Sequence, residues 1–172
     1  MTLYRRLLFV LCVALLQFLS SGCASRPEPR AYAVQVTLDG PLAGTSVQVD
    51  IVGANEIADL PKWQTYSVTQ YWQPENAFRR DARKFTLQFS RDKPTTQSLS
   101  QTDPHWAEWL QTGAMQLVVV ADLPGPVTDQ VGNADPRRLI LPLDRAAWGR
   151  SAGKVEILVQ ESGLRLMTPR KL

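Results

Sequence analysis

From Ala31 onward, apolar and polar residues alternate with a period of two, the spacing that turns one face of a strand toward a core. Val34, Val36 and Leu38 form one such run, and Val47, Val49 and Ile51 form a second, separated by the turn-forming stretch Asp39-Gly40-Pro41 to Gly44. Phe85, Leu87 and Phe89 alternate again. Leu139 to Leu143, Val155 to Val159 and Leu164 to Met167 read as later strands, the last set off by Ser162-Gly163. Met115 to Leu123 is a nearly continuous apolar run, as a central strand requires. Its Val118, Val119 and Val120 are expected to be buried on both faces, against an opposite sheet and beneath a tryptophan-bearing helix.

Two helical segments interrupt the strands. Asp59 is placed to cap the first, with Pro61 in its opening turn, Trp63 through Trp72 as its apolar face and Pro74 as its stop, although Tyr66, Val68 and Gln70 also suit a strand. Asp103-Pro104 opens the second, which carries Trp106, Trp109 and Leu110 and ends at Gly113. Together these segments predict a mainly β chain, an antiparallel β-sandwich with one or two short helices against it. No fixed-period repeat is visible, which argues against a propeller or solenoid.

The first residues follow a different logic. Arg5 and Arg6 precede an apolar run, Leu7 to Leu19, and then come the small residues Ser20, Ser21 and Gly22. That order is the anatomy of a secretory signal, and the run is shorter than the roughly 20 residues a membrane-spanning helix needs. Cys12 lies inside this signal, so Cys23 is the one thiol of the processed chain and no intramolecular disulfide is expected. Of the 172 residues, removal of Met1 to Gly22 leaves 172 − 22 = 150, enough for one domain with its own core. Removing Arg5 and Arg6 from 19 Lys+Arg leaves 17 against 16 Asp+Glu, a net charge of +1. Charges of both signs are interspersed, so no field for nucleic acid survives.

Candidate chemistry is sparse. His105, between Pro104 and Trp106, is the single histidine and reads as a capping or surface residue, with no nucleophile motif beside it. Zinc needs several His or Cys ligands, so no metal centre is expected. Asp129, Asn133 and Asp135 lie in the long segment Pro124 to Pro136, but their spacing is not that of a calcium loop and ordinary turn chemistry accounts for them. No enzyme activity and no cofactor are predicted. Trp63, Trp72, Trp106 and Trp109 either fill the core or stack on a sugar or a partner protein, with core favoured for most, and Trp148 is placed to close one end of the sandwich.

Ser20-Ser21-Gly22-Cys23 resembles the lipobox of bacterial lipoproteins, in which the cysteine is acylated, commonly with palmitate, and becomes the first residue. That resemblance implies a signal peptide over 1–22, a lipid-anchored tether over 23–30 and a β-sandwich domain over 31–172. Ala24 after the cysteine implies sorting to the outer membrane, on its periplasmic face. The lipobox, the strand leading into Leu38-Asp39-Gly40-Pro41-Leu42-Ala43-Gly44, the strand Val47 to Val52, an aromatic helix, Leu117 to Asp122, Arg137 to Leu143 and Ala147-Trp148 together resemble the outer-membrane lipoprotein of type VI secretion systems, the TssJ family. The resemblance implies a transthyretin-like sandwich that docks onto the periplasmic domain of an inner-membrane secretion protein. The loop between the first two strands, with Asp39, Gly40, Pro41, Leu42, Ala43 and Gly44, would make that contact; the other reading is a plain hairpin connection. An envelope lipoprotein with a carbohydrate- or peptidoglycan-binding sandwich is the alternative function.

Overall fold

A computed structural model describes residues 27–148 and 153–171, so the predicted signal, Cys23 and the first part of the tether lie outside the described residues. The described chain is a β-sandwich of two four-stranded sheets. β1 (Ala33–Leu38), β4 (Thr96–Leu99), β7 (Lys154–Gln160) and β8 (Gly163–Leu166) form the first, in the order β4-β1-β7-β8. β2 (Val47–Asn55), β3 (Lys84–Phe89), β5 (Ala114–Asp122) and β6 (Arg138–Pro142) form the second, in the order β3-β2-β5-β6. Every ladder is antiparallel except that of β1 with β7, which is parallel.

The period-two pattern sets which side chains meet. Val34 and Val36 of β1, and Val155, Ile157 and Val159 of β7, turn inward onto Val49, Ile51, Leu117 and Val119 of the other sheet, and all are buried. Each such side chain contributes roughly 1.5–3 kcal/mol on leaving water. Gln35, Thr37 and Glu156 occupy the opposite, solvated face of the first sheet. The second sheet is covered on both faces, as the continuous run in β5 predicts: Val118 and Val120, with Val52, Ala54 and Ile140, pack beneath a helical layer containing Trp63, Val68 and Tyr71.

That layer is not the one helix expected from Asp59 to Trp72. It comprises α1 (Leu60–Thr65), α2 (Val68–Tyr71) and α3 (Ala77–Asp81). The first break comes at Tyr66, whose backbone is extended, and at Ser67, whose Oγ accepts from Gln70 N at 2.9 Å and starts a new helix. Asp59 does not cap α1; its carboxylate accepts from Asn55 N at 3.1 Å and pins the preceding turn. α4 (Pro104–Gln111) matches expectation, with Asp103 accepting from His105 N at 3.0 Å. Trp109 of α4 lies directly on Gly53 of β2, where an added Cβ would sit 2.5 Å from the Trp109 Cβ and Cγ. Only glycine lets that helix reach the sheet.

β1 and β2 do not form a hairpin. They belong to different sheets, and residues 39–46 cross from one layer to the other. Because β1 is parallel to β7 and β2 is antiparallel to β3 and β5, the segments after β1, β3, β5 and β7 share one pole of the sandwich. The chain enters β1 at the opposite pole, where Asn55, Ala114 and Pro142 also lie.

Candidate functional site

The crossing loop is built around one buried residue. Asp39 Oδ1 accepts from Gly40 N at 2.9 Å and opens a single 3-10 turn, Gly40–Leu42, in which Pro41 supplies a ready-made φ. Leu42 drops back into the inter-sheet core and is 1% exposed. Thr45 Oγ1 donates to Leu42 O at 2.7 Å, and Gly44 at φ 81° turns the chain into β2. Gln160, at the end of β7, donates from Nε2 to Asp39 Oδ2 at 3.0 Å; this bond and the Gly40 N–H hold the Asp39 carboxyl below its usual range. Of the six residues predicted to contact a partner, Gly40, Pro41, Ala43 and Gly44 are exposed, Asp39 is half-exposed and spent on Gly40 and Gln160, and Leu42 is an interior anchor. Gln160 was not legible as part of this loop, because it reaches Asp39 through tertiary pairing, whereas Thr45 acts locally, three residues after Leu42.

The other candidate residues are occupied structurally. His105 Nδ1 lies 2.7 Å from Asp103 Oδ1, and its ring packs edge-on against Phe85. No cluster of three or more His, Cys, Asp or Glu side chains is placed to hold a metal ion among the described residues. Asp129 and Asp135 grip Arg137: its Nη2 reaches Asp129 Oδ1 at 2.5 Å and Asp135 Oδ2 at 3.0 Å. Asp129 also accepts from the Ser67 hydroxyl and from Thr69 N at 2.9 Å, so the loop clasps the start of α2. Burial opposes ionisation of Asp129, but the bonds from Ser67, Thr69 and Arg137 prevail and hold its pKa at about 2. Asn133 pairs with both backbone groups of Ile140, donating to its O at 3.2 Å and accepting from its N at 2.6 Å. That amide occupies the outer edge of β6 as a neighbouring strand would.

Three buried networks carry no signature in the sequence. Asp50, fully buried on the outer face of β2, accepts from Arg79 Nε at 2.8 Å, Tyr71 Oη at 2.9 Å and Thr86 Oγ1 at 2.7 Å. Arg138, 2% exposed, donates to the carbonyls of Trp63, Tyr66, Gln130 and Gly132, tying the end of α1 to the β5–β6 loop. Trp106, Trp109 and Trp148 send their indole N–H groups to Ser100, Arg83 and Pro142 carbonyls at 3.0, 2.8 and 2.9 Å.

Trp63, Trp106, Trp109 and Trp148 are therefore core residues, and Trp72 is half-buried with the Arg79 guanidinium 4.2 Å above its ring. No row of exposed indoles for sugar stacking exists among the described residues. A cleft of about 440 Å3 opens between α1, α3 and α4, with Trp63, Phe78 and Trp109 in its wall. Lys62 Nζ stands 4.0 Å from the centre of the Phe78 ring.

At the entry pole the chain is held earlier than predicted. Arg30 N donates to Leu143 O at 3.1 Å, Arg145 N to Glu28 O at 3.2 Å and Glu28 N to Asp144 Oδ1 at 3.2 Å. Residues 28–30 thus belong to the folded body, and the span from Cys23 to the first held residue shrinks accordingly. No helix among the described residues is long and apolar enough to cross a membrane.

No protein-family model matches the chain, and no curated protein matches its sequence. Solved structures do. A chain from a structure described as a type VI membrane complex is 13% identical, with 81% of this chain and 99% of that chain aligned at a TM-score of 0.53. The Serratia marcescens protein Lip, described as a membrane-bound component of the type VI secretion system, is 13% identical over 83% of this chain and 99% of its own, at a TM-score of 0.45. The Pseudomonas aeruginosa type VI lipoprotein TssJ1 is 8% identical over 84% and 100%, at 0.43. The first comparison carries the conclusion: the two-sheet sandwich described here shares its fold with a chain found in a type VI membrane complex.

Proposed function

We propose that this chain is an exported lipoprotein, acylated at Cys23, that serves as a non-enzymatic docking component of a type VI secretion membrane complex. In this reading the lipid holds it to the periplasmic face of the outer membrane, and the exposed part of the crossing loop, Gly40, Pro41, Ala43 and Gly44, binds the periplasmic domain of an inner-membrane component. The observation that carries the reading is a shared fold that takes in 99% of the chain from the type VI membrane complex. Polarity supports it: the chain enters the sandwich at one pole and the loop stands at the other, one strand length away. At about 3.3 Å per residue, β1 sets the loop roughly 20 Å farther from an anchoring bilayer than the entry point.

Two loop variants separate docking from folding. Pro41→Asp changes an exposed residue and is expected to abolish co-purification with the partner's periplasmic domain while lowering stability by no more than about 1 kcal/mol. Leu42→Ala removes a buried anchor and lowers stability by about 2–5 kcal/mol whatever the partner does. Full partner binding by Pro41→Asp would reject the loop as the contact. An unmodified Cys23 in mass spectra of membrane-extracted protein would reject the anchor.

A further inference from the structure

The entry pole gathers cations that form no ion pair with a carboxylate among the described residues. Arg30 belongs to the strap that enters β1, and Arg145 opens the 3-10 turn Arg145–Ala147, whose first N–H bonds Glu28 O. Both lie around the Tyr32 hydroxyl, together with Asp144 and Glu28. The C-terminal strap brings two more: Arg170 bridges to Trp148, and Lys171 N donates to Ala147 O at 2.9 Å. Arg145, Arg170 and Lys171 are exposed and Arg30 is half-exposed. Among the described residues none of the four has a carboxylate within 4 Å, in contrast to Arg79, Arg83, Arg137 and Lys154, which are all paired. The two acids of this corner are Glu28 and Asp144, and Asp144 spends one oxygen capping Ala146 N at 3.1 Å and holding Glu28 N.

Position decides what such a surface meets. The first residue held to the body is Glu28, five positions after Cys23 in the sequence (28 − 23 = 5), and each residue spans no more than about 3.5 Å. A lipid at Cys23 therefore holds this pole, and no other part of the domain, against the bilayer. We propose that the corner formed by Arg30, Arg145, Arg170 and Lys171 rests on the headgroups of anionic phospholipids and fixes the tilt of the domain, so that the opposite pole faces away from the membrane. Exposed basic residues near an anionic surface each strengthen attachment several-fold, and an acyl anchor is reinforced by such a patch. The orientation rests on the lipoprotein reading, whereas the lipid contact itself does not require the acyl group.

The test uses the processed chain from residue 23 with Cys23→Ser, so that no acyl group contributes. Co-sedimentation with vesicles of phosphatidylethanolamine and phosphatidylglycerol is compared with vesicles of phosphatidylcholine alone. Binding to the anionic vesicles, weakened by added salt, is expected. The pair Arg145→Gln and Arg170→Gln is expected to reduce it roughly thirtyfold, while Arg91→Gln with Lys93→Gln at the far pole leaves it unchanged. Equal melting temperatures of the two pairs exclude unfolding as the cause. Equal binding to neutral vesicles, or equal losses from the two pairs, would overturn the proposal. Acylation at Cys23 is read separately by mass spectrometry, so failure of the anchor and failure of the lipid-facing corner give different results.

Discussion

Arg138→Met tests the claim that a single buried cation holds the helical layer in place. Methionine keeps the length and apolar stem of the arginine but removes its donors. Four carbonyls then lose a partner: Trp63 O at 2.7 Å, Tyr66 O at 2.8 Å, Gly132 O at 3.0 Å and Gln130 O at 2.5 Å. Gln130 is exposed, and water can replace the guanidinium there and near Gly132. The carbonyls of Trp63 and Tyr66, at the end of α1, lie beneath their own aromatic layer. Leaving a buried acceptor unsatisfied costs ~1–3 kcal/mol. Burial also pushes the Arg138 pKa down, so part of the gross interaction offsets the guanidinium's own desolvation. The net expected loss is about 3–4 kcal/mol, near 10 °C in melting temperature for a domain of this size. Arg138→Lys is expected to lose less, about 1–2 kcal/mol, because an ammonium donates without the planar fork. Urea denaturation gives the energy, and hydrogen exchange gives the location: amides of residues 60–72 should lose protection before those of β2 and β5. A loss under about 1 kcal/mol for Arg138→Met, or uniform loss of protection, would refute the argument.

Three further perturbations probe other parts of the frame. Gly53→Ala drives a methyl group into the Trp109 Cβ and Cγ at 2.5 Å and should lower stability by about 1–3 kcal/mol, readable as a red-shifted tryptophan emission during thermal melting. Asp129 titrates at about 2 in the folded chain against 3.8 for a free carboxyl, a difference worth roughly 2.5 kcal/mol that solvent screening reduces to ~1–2 kcal/mol for a side chain 34% exposed. The folded pKa is depressed, so that stability is present above about pH 4 and lost as pH falls toward 2; Asp129→Asn should therefore match the parent at pH 2 and fall below it at pH 7 in denaturant titrations. Asn133→Ala strips both hydrogen bonds from Ile140 and should cost about 1–2 kcal/mol while opening the β6 edge, seen as concentration-dependent self-association by light scattering.

The strands facing the core were readable because alternation is a local property: Val34, Val36, Val155, Ile157 and Val159 announce their faces without help from the rest of the chain. β4 was not readable. Its sequence Thr-Gln-Ser-Leu buries only Leu99, and its ladder to β1 holds it in place. The break between α1 and α2 is hidden because the side chain of Ser67 competes with helix continuation inside an otherwise periodic aromatic run, and α3 begins beyond Pro74, the expected stop of the first helix. The positions of the loop residues were legible and their orientations were not. Nothing local distinguishes Leu42, which plugs the core, from Pro41, which faces solvent. Nor does sequence spacing show that Asp129, Asp135 and Arg137 form one ion-pair set, because that requires Ser67 and Thr69 to be brought alongside from another element.

The parallel pairing of β1 with β7 also dictates timing. β1, the earliest of the described strands, is central in its sheet, yet Val34 must await Leu99 on one side and Val155 on the other. Such distant partners make closure slow. The first sheet therefore closes only once Val155 has been made, so β1 stays without its central partner through most of the synthesis of the strands described here.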